Sequence, residues 1–443
     1  MQYTQKYFTL LSVGMLLVAT SCERIVDTKP TDQVDIDDVF RTADGVEAAL
    51  TGCYSNLRSR GFHFETVILG ELAADNATGD PSLERGQYFT ISQNAYDPTT
   101  AVVRSIWETS YSAINSINII LDRLATSGAT AADRPRIEAE LRFLRAFHYF
   151  NLVKCFGGVP LRTKGNVELD ATKSAQNTPR STADQVYNFI ISELQAALPN
   201  VPRGKGNAYF RASEGAVRAL LARVALYAKN YPLAIEQASI LIDSARFGYK
   251  LLPNYTAIFR EKRNEEVIFA VEFNAGAPNS IGRFTSGAGT NVIRTTPVLN
   301  AYTTADSVRK SIAVTKYATP NGVDDVIMLR LAEMYLIRAE ALAQSNGSRT
   351  QIVADINKIK QRAGVPLLTS TTLSYAEYLA EIEKERRLEF SFEGHRFFDL
   401  VRTNRAVDVL SSKPSGFESF KQLLPIPTSE MLFNSAMVQN PGY

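Results

Sequence analysis

The sequence predicts an all-α fold in which helices form tetratricopeptide-like pairs, joined by long loops and a few short β-strands. Apolar residues recur with helical spacing in most segments that show a clear period. Successive helices also form units of about 34 residues, the period of a tetratricopeptide repeat. Strand-like sequence is scarce. With 443 residues, of which 45% are hydrophobic and 21% charged, the chain can form a large core without disulfides or structural metals.

The first 21 residues differ from the rest of the chain and predict a lipoprotein signal peptide, residues 1–21. The apolar run Phe8–Val18 is too short to span a bilayer as a helix. The small residues Ala19–Ser21 stand directly before Cys22 and resemble the cleavage box of bacterial lipoproteins. We therefore expect Cys22 to be acylated and to be the only membrane anchor. The alternative is an ordinary signal peptide, with Cys22 a chance cysteine.

Charge and cysteine content narrow the possible functions. Forty-eight Lys and Arg residues against 46 Asp and Glu leave a formal charge of +2, so nucleic-acid binding through bulk charge is not expected. Besides Cys22, the chain contains Cys53 and Cys155. An oxidising compartment would allow a disulfide between them. Lone cysteines on helix faces more often behave as buried hydrophobic groups, which is the interpretation we favour.

The clearest helix pair begins at Ser213, a residue type that caps helix N-termini. Apolar residues then fall on one helical face in residues 217–228. The chain restarts at Tyr231–Pro232, where proline suits a first helical turn, and a second apolar face follows in residues 234–245.

Two further helix pairs are predicted. One covers residues 328–342 and 352–363, and the other combines residues 107–121 with a long helix from Ile137 to Lys154. This last helix is apolar almost all round and should therefore be buried. Its two arginines, Arg142 and Arg145, then need acidic or backbone partners.

Strand-like sequence has one clear piece, Glu265–Phe273. It opens a loop-rich stretch, residues 273–304, that is rich in Gly, Ser, Thr and Asn and has no helical period. A second irregular segment is expected at residues 62–97. Because loops on a rigid helical scaffold carry most binding groups, we expect these two segments to form the ligand site and the helix pairs to face a protein partner.

Five blocks of sequence occur in the order found in one known family. They are WETSYSAINSINIIL from Trp107, ELRFLRAFHYFNLVKCFGGVPL from Glu140, LRLAEMYLIRAEAL from Leu329, EKERRLEFSFEGHRFFDLVR from Glu383 and the closing LLPIPTSEMLFNSAMVQNPGY. Through these blocks the chain resembles the SusD/RagB family of nutrient-uptake lipoproteins. The resemblance covers an N-terminal region, residues 22–230, and a C-terminal region, residues 231–443.

The resemblance implies a SusD-like fold and a function in binding rather than catalysis. Members sit at the outer membrane of Bacteroidetes-type bacteria as lids on a SusC-like TonB-dependent transporter, where they hold oligosaccharides or, in some branches, peptides. It therefore implies a lipid-anchored protein that faces the cell surface. Surface-displayed members often carry an acidic run after the lipid cysteine, whereas this chain has only Glu23 and Asp27 there.

Sugar binders commonly stack ligand rings on aromatic side chains and use polar loop groups for hydroxyls. Trp107 shares a helical face with Tyr111 and Ile114, so we expect it in the core. The ligand-binding candidates therefore come from the two loop segments: Asp75, Asn76, Tyr88, Tyr96, Arg283, Phe284 and Asn291. The loop around Asp75 also suits turn capping or a calcium ion.

No catalytic or metal-binding motif is present in the sequence. His63, His148 and His395 are far apart and lack the spacing of metal ligands. We therefore expect no enzymatic activity, no cofactor and no bound metal. Two alternatives stay open: a tetratricopeptide scaffold that only organises other proteins, and a helical glycosidase with paired carboxylates. The second is disfavoured because the acidic residues fall on helix faces and caps.

Overall fold

The structure, a computed structural model, describes residues 36–80, 86–167, 177–204, 206, 209–285, 292–317, 319, 322–413 and 416–443. Helices dominate these residues and strands are few and short, which confirms the predicted class. The first elements are α1 (Ile36–Val39), α2 (Ala43–Ser55), α3 (Arg60–Leu72), β1 (Ala77–Gly79), α4 (Gln87–Ser92), α5 (Ala101–Arg123), α6 (Arg134–Phe156), α7 (Ala183–Ala197), α8 (Glu214–Tyr227) and α9 (Tyr231–Asp243).

The later elements include the remaining strands and the helices of the C-terminal region. They are α10 (Ala257–Arg260), β2 (Val267–Val271), α11 (Ile281–Thr285), β3 (Val292–Arg294), α12 (Thr296–Ala301), α13 (Ser307–Ile312), β4 (Val326–Arg330), α14 (Leu331–Gln344), α15 (Arg349–Ala363), α16 (Tyr375–Glu389), α17 (Arg396–Arg402), α18 (Ala406–Leu410) and α19 (Thr428–Phe433).

The three predicted helix pairs are confirmed as α5 with α6, α8 with α9 and α14 with α15. Ser213 caps α8, because its Oγ accepts a hydrogen bond from the amide of Ala216 at 3.2 Å. Pro232 lies in the first turn of α9, as expected, and that helix ends at Asp243, two residues before the predicted Ala245. Helix α9 also packs on α14, so successive pairs stack on one another.

Helix α6 is buried almost all round, and its arginines have the acidic partners that burial requires. Arg142 pairs with Glu193 at 2.5 Å and with Glu138 at 2.7 Å. Arg145 donates from Nε to Glu193 at 2.7 Å and from Nη1 to Asn118 at 2.8 Å. These ion pairs and the amide contact tie α6 to α5 and α7.

The predicted strand at residues 265–273 is β2, and its antiparallel partner β4 was not foreseen. Residues 267 and 271 lie opposite 330 and 326. Met328 was assigned to a helix but belongs to β4, and α14 begins only at Leu331. The assignment was wrong because a short, fully buried apolar run has no period that separates strand from helix.

The expectation that residues 62–97 form an irregular segment is also wrong for most of that range. Helix α3 runs through residues 60–72, and nearly every residue in it is buried. Its sequence has no polar face because it packs between other elements on all sides, among them α5 and α17. A helix without an exposed face gives no amphipathic signal.

The largest hydrophobic cluster runs from Phe40 to Met437, so the regions 22–230 and 231–443 contribute to one core. Trp107 is 2% exposed, as expected for a core residue. Cys53 and Cys155 are free and buried, and burial raises the pKa of each thiol to about 12. Over the described ranges, no helix is long and apolar enough to cross a bilayer.

Candidate functional site

The two segments predicted to hold a ligand lie side by side. Strand β1 pairs antiparallel with β3, with Ala77 opposite Arg294 and Gly79 opposite Val292. Thr295 extends the contact, because its amide donates to the carbonyl of Asn76 at 2.9 Å. We call this contact between residues 75–79 and 292–295 the β1–β3 junction. It places both segments at one edge of the helical scaffold.

Asp75 is held by two arginines of the C-terminal region. Its carboxylate oxygens lie 3.0 Å from Arg387 Nη2 and 2.8 Å from Arg396 Nε. Burial raises the carboxyl pKa, but hydrogen bonding to Arg396 and the charges of both arginines outweigh burial and hold the pKa of Asp75 below its usual value. The carboxylate is thus ionised and already paired.

Asn76 is fully buried, and both ends of its amide are engaged. Its Nδ2 donates to Glu71 at 2.8 Å, and its Oδ1 accepts from Arg387 Nε at 2.9 Å. Glu71 in turn accepts from the amide of Gly394 at 3.0 Å. The expectation that Asp75 and Asn76 lie free in a loop is therefore wrong, because both fasten the N-terminal segment to helices α16 and α17. The low exposure of both side chains argues against direct contact with a ligand. A ligand titration of variants at these positions tests that contact.

Tyr88 and Phe284 come together, as part of a buried cluster with Phe64. The ring centroids of Phe284 lie 4.8 Å from Phe64 and 5.5 Å from Tyr88, in edge-to-face arrangements. The guanidinium of Arg60 covers Phe64 at 3.9 Å and donates a hydrogen bond to the hydroxyl of Tyr88. Tyr88 is 1% exposed and Phe284 is 8% exposed. The expectation that these rings are free to stack on a ligand is wrong.

Tyr96 is also buried, at 3% exposure. Its hydroxyl donates to the carbonyl of Lys421, and its ring lies 6.5 Å from that of Tyr443. It fastens the segment after α4 to the C-terminus, which the sequence alone could not indicate. Of the other candidates, Arg283 lies in α11, and Asn291 lies outside the described residues, as does Cys22.

Two side chains at the β1–β3 junction were missed by the sequence analysis. Arg60 is 38% exposed beside the aromatic cluster. Phe89 is partly exposed on α4, whose inward face carries Tyr88 and Ile91, and its backbone packs directly against Gly79 of β1. Once α4 is recognised, helical spacing predicts that Phe89 lies off the buried face, because consecutive residues are about 100° apart around the helix. We therefore add both side chains to the candidates.

The histidines behave as core residues. Burial lowers the pKa of His63 to about 4 and that of His148 to about 3, and it lowers the pKa of His395 as well. Within the residues that the structure describes, no three His, Cys, Asp or Glu side chains are grouped so that they could hold a metal ion.

Two family models match the chain. The model described as "Starch-binding associating with outer membrane" matches residues 11–226, and the model described as "SusD family" matches residues 290–443. The chain belongs to the SusD/RagB family. The two matches together cover parts of both the N-terminal and the C-terminal region of this SusD-family protein. They confirm the resemblance drawn from its sequence blocks.

Individual relatives extend the match over nearly the whole chain. SusD-like protein P38 of Formosa agariphila is 25% identical, over 99% of this chain and 98% of the relative. Starch-binding protein SusD of Bacteroides thetaiotaomicron is 25% identical, over 74% of this chain and 76% of that protein. The solved structure of a laminarin binding SusD-like protein matches with a TM-score of 0.78 at 26% identity, covering 91% of this chain and 100% of that one. The relatives named for a ligand are therefore glycan-binding proteins.

Proposed function

We propose that this SusD-family protein captures an oligosaccharide at the outer membrane and delivers it to a SusC-like TonB-dependent transporter. It works by binding and handover, without bond cleavage. The observation that carries the proposal is the β1–β3 junction, because it brings together the two segments expected to hold the ligand. The glycan-binding relatives support the ligand class.

At the junction, we assign ligand contact first to Phe89 and Arg60. Phe89 offers a partly exposed ring for stacking on a sugar, and Arg60 offers the remaining donors of a guanidinium that rests on the ring of Phe64 and already bonds to Glu65 and Tyr88. Arg283 and Asn291 stay candidates. The buried residues Asn76, Tyr88, Tyr96 and Phe284 and the partly buried Asp75 then support these side chains.

Calorimetric titration with laminari-oligosaccharides, malto-oligosaccharides and peptides tests this proposal. Chromatography of the same samples then shows whether an oligosaccharide has been cleaved. Phe89→Ala should weaken oligosaccharide binding several-fold, since one stacked ring is worth about 1 kcal/mol. Phe433→Ala is the matched control, because Phe433 is a 57% exposed phenylalanine on α19. Shortened products would establish the glycosidase alternative, and an absence of any binding would favour the scaffold alternative. Binding of peptides but of no oligosaccharide would change the proposed ligand class from oligosaccharide to peptide.

The transporter contact needs an exposed apolar surface, which the buried helix α8 does not supply. Leu432, Phe433 and Val438 are 76%, 57% and 69% exposed within seven consecutive residues. We assign the contact to this C-terminal apolar patch, in a protein anchored by an acylated Cys22. Leu432→Glu should reduce copurification of the transporter from outer membranes, whereas Leu367→Glu, at a 50% exposed position elsewhere, should not. Equal copurification of both variants would remove the patch from the proposal.

A further inference from the structure

A cleft of about 610 Å³ lies between α16 and α17, closed at its ends by α12 and the C-terminal turn of α14. This volume falls within the range of small-molecule sites, roughly 300–1,000 Å³. The cleft adjoins the β1–β3 junction, because Arg387 and Arg396 line it and also pair with Asp75. We call it the arginine cleft.

The lining of the arginine cleft is strongly charged. Its cationic side chains are Lys384, Arg386, Arg387, Arg396, Arg402 and Arg405, and its carboxylates are Glu340, Glu383 and Asp399. The lining therefore carries six positive and three negative charges, an excess of three. Asp75, Asp408 and Glu381 lie outside the lining and pair with its cations, and Lys360 offsets Glu381 at 2.6 Å, which leaves an excess of one. An electropositive cleft of this kind favours an anionic ligand.

Two cations in the cleft have donors left over. Arg386, whose side chain is 2% exposed, donates to Asp399 from Nε at 2.8 Å and from Nη2 at 3.1 Å. Its buried Nη1 has no hydrogen-bond partner among the residues that the structure describes. Lys384 is half-exposed and 4.0 Å from Glu381, whose other oxygen pairs with Lys360 at 2.6 Å. A buried donor without a partner is uncommon in a folded protein.

Arg387 shows the same shortage of negative charge. It shares the carboxylate of Asp75 with Arg396. Burial lowers the pKa of Arg387, and the charge of Arg396 lowers it further, against the opposing effect of Asp75. Arg396 also pairs with Glu383 at 3.0 Å, whereas Arg387 has only its share of Asp75, so an added carboxylate in the cleft would reduce the repulsion between these two cations.

The remaining lining residues suit the ring and the hydroxyl groups of a sugar. Ala376, Leu379, Ala380 and Leu388 supply an apolar wall on α16 for ring C–H groups. The side chains of Gln344 and Thr403, with the carboxylates of the lining, are acceptors for hydroxyl groups. A bare inorganic anion would use only the cations, whereas an acidic saccharide would use every part of this lining.

We propose that the arginine cleft is a second ligand site, which takes an acidic saccharide of about two rings. Its carboxylate pairs with Lys384 and Arg405 at the open side, and its hydroxyls bind to the acceptors within. This site adjoins the β1–β3 junction through the pairing of Arg387 and Arg396 with Asp75, but its ligand contacts differ from those of the neutral oligosaccharide proposed there.

Calorimetric titration of the full chain with digalacturonate tests the proposal, with maltose as the neutral comparison. We expect digalacturonate to bind, with an affinity that falls as salt rises from about 20 to 300 mM, whereas any binding of maltose should be insensitive to salt and to changes in the cleft. The double variant Lys384→Gln/Arg405→Gln should weaken digalacturonate binding about tenfold. Both side chains are about half-exposed, so the fold should persist, and circular dichroism checks this.

The matched control is Lys250→Gln/Arg263→Gln, which removes two exposed cations elsewhere. Equal weakening in both double variants would show binding by overall charge and overturn the proposal, as would unchanged binding in the cleft variant or no digalacturonate binding at low salt. If the double variant unfolds, digalacturonate binding by the single variant Arg405→Gln tests the same prediction. Phe89→Ala should leave digalacturonate binding intact, so failure of one site does not imply failure of the other.

Discussion

Replacing His148 tests how burial determines the stability of this protein. His148 is 0% exposed in α6, and neither of its ring nitrogens has a hydrogen-bond partner among the described residues. The ring of Phe62 lies against it, with centroids 4.7 Å apart. Burial lowers the imidazole pKa to about 3. We expect His148→Leu to raise the free energy of unfolding, and to raise it more at acid pH than at neutral pH.

The magnitude follows from two contributions. A buried polar group without partners costs about 1–3 kcal/mol, so the variant should be about 1–2 kcal/mol more stable at pH 7.5 after a small packing cost. Below pH 6.5 the unfolded histidine binds a proton that the folded one refuses, because its folded pKa is the lower of the two. Stability is therefore lost as pH falls. At pH 5 this loss is about 2 kcal/mol in the parent and absent in the variant.

Urea unfolding followed by circular dichroism at pH 7.5, 6.0 and 5.0 measures both contributions. The buried His63 and the partly buried His395 also have lowered pKa values. They are present in both proteins, so the difference between parent and variant isolates His148. The same pH dependence in parent and variant would refute the linkage argument. A variant that is less stable at every pH would refute the argument from unpartnered nitrogens.

Three further predictions concern the anchor, the buried charges and the aromatic cluster. Cys22→Ser should move the protein from the membrane to the soluble fraction, and its retention in membranes would contradict the anchor. Glu389→Gln should lower the free energy of unfolding by about 3 kcal/mol in urea titrations, because it removes one of the two carboxylates that the buried Arg330 and Arg362 share and leaves them Glu266. Tyr88→Ala should lower it by about 3–5 kcal/mol through loss of core packing, and a loss under 1 kcal/mol would show that the ring is not structural.

Local sequence patterns predicted the helix pairs well. Ser213 and Pro232 mark helix starts through their own chemistry, and apolar spacing gives the faces of α5, α8 and α15 without knowledge of the partners. The same reasoning fails where an element is buried on all sides. Strand β4 and helix α3 have no polar face. Periodicity therefore wrongly assigns β4 to a helix and α3 to a loop.

The candidate site was predictable only at the level of segments. Residues 62–97 and 273–304 do meet, through β1 and β3. Which side chains remain exposed there depends on distant partners. Asp75 pairs with Arg396, 321 residues further along, and Tyr96 is covered by the segment around Lys421. No local pattern contains such partners, so the buried candidates could not be separated from Phe89 and Arg60.

These long-range contacts also determine when the chain can fold. Trp107 donates to Glu430 at 3.2 Å, and the carbonyl of Phe156 accepts from the side chain of Asn440 at 3.0 Å. The N-terminal helices therefore lack part of their packing until the last residues have been synthesised. Such non-local closure slows folding and leaves apolar surface exposed for longer. A chain that closes only through its last residues should therefore refold slowly, with apolar surface exposed until the C-terminal segment is in place.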